Sequence, residues 1–482
     1  MISNNRYTIK SDVIKLLVFI PITLLTIICG QDVNGKFIHL FCLFVGGITT
    51  YHLGYGYCLV FLLNSAIGAF SLNTITAAVS SFLGIMALAF FKLKTIRRLF
   101  REDKYITRIL KISILFTLYE IFITYGIRDD MSSVSYYFVK ITYIFGVFAF
   151  IPAYVAVFIN RKELLIAMLS MGLVSGIVYL LSYFQIVELF KFEESVRTGL
   201  EEETVRMMGD TIKQSVKVFI YLLPAVLFIR VFSAKTRLSV IVISILAVFS
   251  VMVALYRLEI FYISMGILTT TFLVKKYFKV KSTKIILIAL ILAIPVFVVA
   301  SSFIHSIIDS ISNLFADNVQ QIDDESSEVR YLFELPYLIE LFSRYFLFGA
   351  GASRATGDVS TFWYWSDLPL MGSFAAFGIA GMTIYFIRYY FILNRFYRFL
   401  KGNDTEMFVR KYPAEFAVVL GLCSYFITLI FTKLFYVTWE QIQIGGQIEF
   451  GVFIGILFAL IRFLENVNND DKRLSDIRSS RI

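Results

Sequence analysis

Apolar stretches of about 17–25 residues recur along most of this chain, each long enough to cross a hydrocarbon layer roughly 30 Å thick. They lie near residues 13–30, 37–53, 56–71, 74–91, 106–125, 136–158, 164–185, 214–233, 238–255, 259–274, 285–303, 369–393, 414–434 and 447–463. Lipid offers no water to backbone N–H and C=O groups, so a spanning segment must be a helix or a strand of a closed barrel. These runs are apolar on every face, where barrel strands would alternate. The expected fold class is therefore all-α, a polytopic transmembrane helical bundle of about 14 spans. Composition agrees with that class: only 17% of residues are charged, against about 25% in soluble globular domains.

The formal charge of +10 would suit a nucleic-acid partner, but its placement excludes one. Basic residues cluster in short connectors: Lys92 to Arg108, Arg161 and Lys162, Arg230 to Arg237, Lys275 to Lys284, Arg395 to Lys411, and after Arg462. With the N-terminus inside, these connectors all become cytoplasmic and hold roughly 30 of the 45 Lys and Arg, as the positive-inside rule requires. Both termini are then cytoplasmic. Residues 1–463 form the membrane domain and 464–482 a polar cytoplasmic tail, expected to lack fixed structure. The N-terminal basic start and apolar run, with no small-residue cleavage site, read as an uncleaved first helix. The cysteines Cys29, Cys42, Cys58 and Cys423 all lie in apolar spans, with neither metal-ligand nor disulfide spacing.

That orientation leaves two substantial outer loops, about 187–214 and 302–368. The second is too long for a bare connector and so is expected to be functional. Its middle, SSEVRYLFELPYLIELFSRYFLFG, repeats apolar residues at helical spacing, which predicts an interfacial helix bent at Pro336. No P-loop or nucleophile-elbow motif occurs, and the histidines His39, His52 and His305 form no metal-ligand pattern. His39 and His52, in the second span, are expected to be structural.

Outer arginines are the exceptions to the charge rule. Arg257 stands between two apolar helices, where it either pairs locally with Glu259 or marks an anion site. Arg206 lies close to the membrane, just before Gly209 and the helix that follows. Arg330 and Arg344 are 14 residues apart, about four helical turns, and so share a face of the predicted interfacial helix. Arg344 precedes FLFGAG, whose glycines permit close approach to a ligand. Trp363 and Trp365 neighbour Asp358 and Asp367, a pairing that suits either sugar binding or an interfacial aromatic belt. Charges inside the spans, among them Glu120, Arg388, Glu415 and Glu449, mostly lie near span ends, where snorkelling accounts for them.

In its C-terminal third the chain resembles the O-antigen polymerase and O-antigen ligase superfamily of bacterial surface-polysaccharide assembly. The resemblance is carried by SSEVRYLFELPYLIELFSRYFLFGAGASR and then WYWSDLPLMGSFAAFGIAGMTIYF: an arginine, an amphipathic stretch, G-x-G, and an Asp before a helix with a Gly-Ile pair. RMMGDTIKQSVKVFIYLLPA and ALYRLEIF match the family's other arginine positions. The ligase pattern has a histidine where this chain has Asp367, so the polymerase side is the better match. The resemblance implies an enzyme of the bacterial inner membrane. It would transfer glycan from polyprenyl-pyrophosphate-linked oligosaccharides at the outer leaflet, beside a flippase and a chain-length regulator as possible partners. Arg206, Arg257, Arg330 and Arg344 are expected to hold pyrophosphate, Asp367 or Asp358 to take the acceptor proton, and Trp363 and Trp365 to bind sugar. No cofactor or metal is expected. A ligase and a transporter of lipid-linked glycans are the alternatives.

Overall fold

The computed structural model describes residues 3–29, 36–66, 74–123, 145–183, most of 268–276, 335–350, 369–403, 405–432 and 444–479. Among these the ordered elements are all helical, with no strand. The chain order is α1 (Ser3–Cys29), α2 (Lys36–Leu53), α3 (Tyr55–Ala66), α4 (Thr74–Phe90), α5 (Leu93–Glu102) and α6 (Lys104–Ile121). A 3-10 turn, Gly146–Ala149, leads into α7 (Phe150–Tyr183). Then come α8 (Leu335–Arg344), α9 (Pro369–Gly402), α10 (Thr405–Lys411), α11 (Pro413–Thr432) and α12 (Ile444–Ser479).

Three stretches are long and apolar enough to cross a membrane: Met371–Gly402, Pro413–Ile430 and Gly446–Asn469. Ala77–Phe90 with Leu93–Glu102 makes a fourth if that pair, bent by 76°, counts as one span. The apolar runs before residue 185 and after residue 369 overlap described helices, with 136–158 and 164–185 sharing the kinked α7, while 67–71 and 136–144 lie outside the described residues. The spans near 214–233, 238–255 and 285–303 lie outside the described residues, as does most of the two loops expected on the outer side.

The core centres on α12. Between Ile448 and Ile461 its apolar residues are all but inaccessible. Gly451 and Gly455, one turn apart, present a smooth strip to the neighbouring backbone. A Cβ on Gly451 would lie 2.3 Å from the Val147 carbonyl, and one on Gly455 2.3 Å from that of Phe150. Also packed on α7 is α3, short and almost wholly buried, with Tyr57, Leu59 and Phe61 all but inaccessible.

Sequence and structure differ at the connectors. The basic stretches 92–108 and 395–411, expected as loops, are mostly helix: α5 and the start of α6 in one, the end of α9 and α10 in the other. Their charges recur at helical spacing, so one face meets solvent while Leu99, Phe399 and Phe408 pack inward. Asp103 ends one helix and caps the next, its carboxylate accepting from the N–H groups of Tyr105 (2.9 Å) and Ile106 (3.3 Å). Asn160 breaks α7 with non-helical torsions, and its amide oxygen accepts from the Glu163 N–H at 3.3 Å. The tail is corrected too: from Asn466 it continues α12 as far as Ser479. Asn468 is buried and donates to Asn403 at 2.7 Å, which anchors that extension.

Polar pairs gather at one end of the bundle and tie its helices together. Arg395 donates twice to Glu465, both bonds at 2.6 Å. Arg462 reaches Glu102 (2.6 Å), the Leu99 carbonyl (3.1 Å) and the Tyr154 hydroxyl (3.0 Å), and Tyr154 donates to Asp103 at 2.6 Å. Arg161 pairs with Glu415 at 3.0 Å, Lys162 with Asp12 at 2.6 Å, and Lys15 with Glu163. Most of the cations in these pairs come from the connectors assigned to one side by charge.

Arg395 is 6% exposed and Glu465 26%. Removing one member strands the other in a partly dry site, at a cost of about 2–3 kcal/mol. Arg395→Ala should lower the thermal unfolding temperature of the purified protein in detergent, and Arg395→Ala/Glu465→Ala should recover part of the loss. An unchanged melting temperature in Arg395→Ala would show that the pair contributes nothing.

Candidate functional site

Two motifs distant in sequence meet at a break in α9. Gly378 has φ +61° and ψ −176°, which interrupts the helix and would leave backbone groups without partners. The segment after α8 supplies them. The N–H groups of Ile379 and Ala380 donate to the carbonyls of Phe346 and Leu347, both at 3.0 Å, and Ala350 N–H donates to the Ala375 carbonyl at 2.8 Å. From α6, the Tyr119 hydroxyl bridges the carbonyls of Phe377 (2.7 Å) and Phe348 (2.8 Å), a shared-proton bond that seals the break.

Such close backbone contact requires glycine on both sides. Gly349 has φ +77°, and a Cβ there would stand 2.2 Å from the Ala376 carbonyl oxygen. A Cβ on Gly378 would stand 2.4 Å from Gly349 N. The sequence reading assigned the FLFGAG glycines to approach of a ligand. At Gly349 the approaching group is the backbone of α9.

Helix α8 is amphipathic as expected, and its apolar face has a protein partner. Leu338 and Leu341 pack on Ala375, with Phe342 edge-on to Phe374 at 5.7 Å. Phe346, Leu347 and Phe348 stay about half exposed, an apolar tip at the junction. Pro336 stands in the first turn of the described helix, a position that tolerates proline. Arg344 is 65% exposed and pairs with Glu340 at 3.1 Å. An exposed pair of this kind contributes little, so Arg344 is free to exchange its partner for another anion.

Snorkelling does not account for all the charges within spans. Arg388 is 2% exposed and Glu120 5%, and Glu120 is the electrostatic partner of Arg388. Four rings surround the guanidinium: Phe450 at 4.3 Å, Tyr385 at 4.8 Å, Phe116 at 5.7 Å and Tyr389 at 6.0 Å. Its Nε and Nη2 have no hydrogen-bond partner among the described residues. Glu449, beside Phe450, is also buried. The sequence placed Arg388 near a span end because apolar character fades there, but α9 runs on to Gly402. Lateral packing of α6, α9 and α12 encloses the guanidinium. Glu415 does lie at a helix end, paired with Arg161.

Of the predicted site residues, Arg344 alone is described. Arg206, Arg257, Arg330, Asp358, Trp363, Trp365 and Asp367 lie outside the described residues. Among the described residues no His, Cys, Asp and Glu group is arranged to hold a metal ion. All four cysteines are free thiols, and His39 is buried beside Thr23, Thr26 and Asn64. No protein-family model matches the chain, and no characterised protein matches it in sequence.

Tyr119 had no local signal in the sequence, and its role is testable. Tyr119→Phe leaves two carbonyls at the break without their donor, at about 1–3 kcal/mol. It should lower the melting temperature in detergent and speed proteolysis near residue 350. Unaltered stability and cleavage would mean that the break is held by backbone bonds alone.

Proposed function

We propose that this chain polymerises lipid-linked oligosaccharide repeat units of a bacterial surface polysaccharide, as a glycosyltransferase acting at the outer leaflet of the inner membrane. One observation carries this reading beyond the resemblance. The two halves of the resembling region are hydrogen-bonded at the α9 break: Ile379 and Ala380 donate to Phe346 and Leu347, and Ala350 of G-x-G donates to Ala375. The segment bearing Asp358, Trp363, Trp365 and Asp367 therefore leaves from Ala350 and returns to α9, where Ala375 holds Ala350. A loop closed at its base has less conformational freedom to lose when it organises around substrate.

In this mechanism the acceptor hydroxyl attacks the anomeric carbon of the donor sugar, whose bond to the pyrophosphate oxygen breaks. Arg206, Arg257, Arg330 and Arg344 hold the leaving pyrophosphate, whose charge grows as that bond lengthens. Asp367, just before α9 in sequence, receives the acceptor proton, with Asp358 as the alternative carboxylate. Trp363 and Trp365 stack on sugar rings. The reaction so drawn needs no metal ion. With about 14 spans and both termini in the cytoplasm, the outer loops and the substrate's pyrophosphate share one face.

A transporter of lipid-linked glycans has one specific observation in its favour. Transport sites are commonly built at interrupted helices with buried charges, and α9 combines the Gly378 break with the enclosed Arg388. The two functions separate in cells. Deleting the gene should leave single repeat units on the carrier at the outer leaflet, seen by gel analysis of surface polysaccharide. Unprocessed units confined to the inner leaflet would mean a transporter, and long chains stranded on the carrier a ligase. Arg257→Ala should abolish polymer while the protein stays in the membrane at normal level, and polymer of normal length would remove Arg257 from the mechanism.

A further inference from the structure

Helix α5 leaves α4 at an angle of 76°, and between α5 and the start of α6 lies an open groove of about 620 Å³. Five cations line it: Arg97, Arg101, Lys104, Arg108 and Lys111. No carboxylate of the described residues does. The two acids nearest in sequence are committed elsewhere: Glu102 to Arg462 at 2.6 Å, and buried Asp103 to the first turn of α6 and to Tyr154. None of the five cations forms an ion pair with a described residue, although cationic pairs are common at this end of the bundle. Five like charges around one groove repel one another, so the arrangement favours an anionic occupant.

The same face of α6 says which kind. Lys104, Arg108, Lys111, Leu115, Leu118 and Phe122 follow at alternating steps of four and three, so they form one stripe. All six are exposed, Leu115 at 53%, Leu118 at 58% and Phe122 at 60%. From Lys111 to Phe122 the stripe rises about 16 Å, close to half of a roughly 30 Å hydrocarbon layer, which is one leaflet. Cations at one end and one leaflet's depth of apolar surface at the other match an amphiphile with an anionic head. A soluble phosphate would use the cations and leave the apolar half uncovered.

We propose that this groove and stripe bind an anionic glycerophospholipid. Its phosphodiester is held by Arg101, Lys104, Arg108 and Lys111, and an acyl chain lies along Leu115, Leu118 and Phe122. The site is separate from the α9 junction and does not depend on the polymerase proposal. Bound there, the lipid relieves the repulsion among the cations and braces the α4–α5 bend against α6.

The test uses the full-length protein purified in a neutral detergent. Dioleoyl phosphatidylglycerol, dioleoyl phosphatidylcholine, glycerol 3-phosphate and inorganic phosphate are titrated separately. Native mass spectrometry counts bound lipid, and thermal unfolding reports stabilisation by ligand. Phosphatidylglycerol should be retained at least fivefold more than phosphatidylcholine and should raise the melting temperature. Lys104→Gln/Arg108→Gln should lose that preference. The control Lys401→Gln/Arg410→Gln, which removes two exposed cations that do not line the groove, should keep it. Melting temperatures without lipid verify that both variants fold. Equal retention of the two lipids, an unchanged preference in Lys104→Gln/Arg108→Gln, or a loss matched by the control would each overturn the site. Stabilisation by inorganic phosphate or glycerol 3-phosphate equal to that by phosphatidylglycerol would assign the groove to a soluble anion and overturn the lipid.

Discussion

A hydrocarbon layer supplies no hydrogen bonds, and every other choice in this structure is made under that constraint. It turns each apolar run into a helix that satisfies its own backbone. It also makes any interruption expensive, because unpartnered N–H and C=O groups cannot turn to water. The break at Gly378 is therefore informative. It persists because Phe346, Leu347 and Ala350 answer the freed groups of α9, and because Tyr119 bridges two carbonyls from a third helix. The glycines at 349 and 378 follow from the same requirement. Backbones must touch for those bonds to form, and side chains would hold them apart.

Much of the architecture was legible in the sequence because span length and all-round apolarity are one-dimensional signals. The runs 37–53 and 414–434 fall within a residue or two of α2 and α11. What escaped was helical structure written in charge. Between Lys92 and Arg108 the cations draw the eye to a loop, while Ile96, Leu99 and Phe100 carry a helical period that packs α5 inward. The tail beyond Asn466 failed for a related reason: buried Asn468 and the Arg395–Glu465 pair hold it as helix, and polar anchoring leaves no hydrophobic trace.

The candidate site divides along the same line. G-x-G and Gly-Ile were visible as separate motifs, but their pairing was not, since nothing local to either names its partner. Tyr119 lies 258 positions from the Phe377 carbonyl that it reaches, and an isolated tyrosine in an apolar run reads as ordinary core. Arg388 misled for a geometric reason. Apolar character ends near residue 393, so snorkelling was the natural account, yet the helix continues to Gly402 and carries Arg388 deeper than that account allows.

Helix α9 then serves as a ruler for the molecule. Arg395 belongs to the polar end of the bundle, through its bidentate pair with Glu465. At 1.5 Å per residue, Arg388 stands about 10 Å further along and Gly378 about 25 Å. The first distance puts that polar end beyond the reach of an arginine-length side chain from Arg388, which would also have to pass packed rings. The second is most of the thickness of a roughly 30 Å hydrocarbon layer. A helix break whose freed groups are answered by backbone bonds, with a loop base tied there, suits the proposed chemistry on a substrate whose head lies outside the lipid. An arginine enclosed by four rings, two of its nitrogens without described partners, is a different object and costs more to keep. If its role were only structural, an apolar side chain of similar volume paired with Glu120→Gln should serve as well or better. The residue therefore separates the two functional readings: glycosyl transfer at the surface does not require the charge of Arg388, and passage of an anionic head through the bundle does.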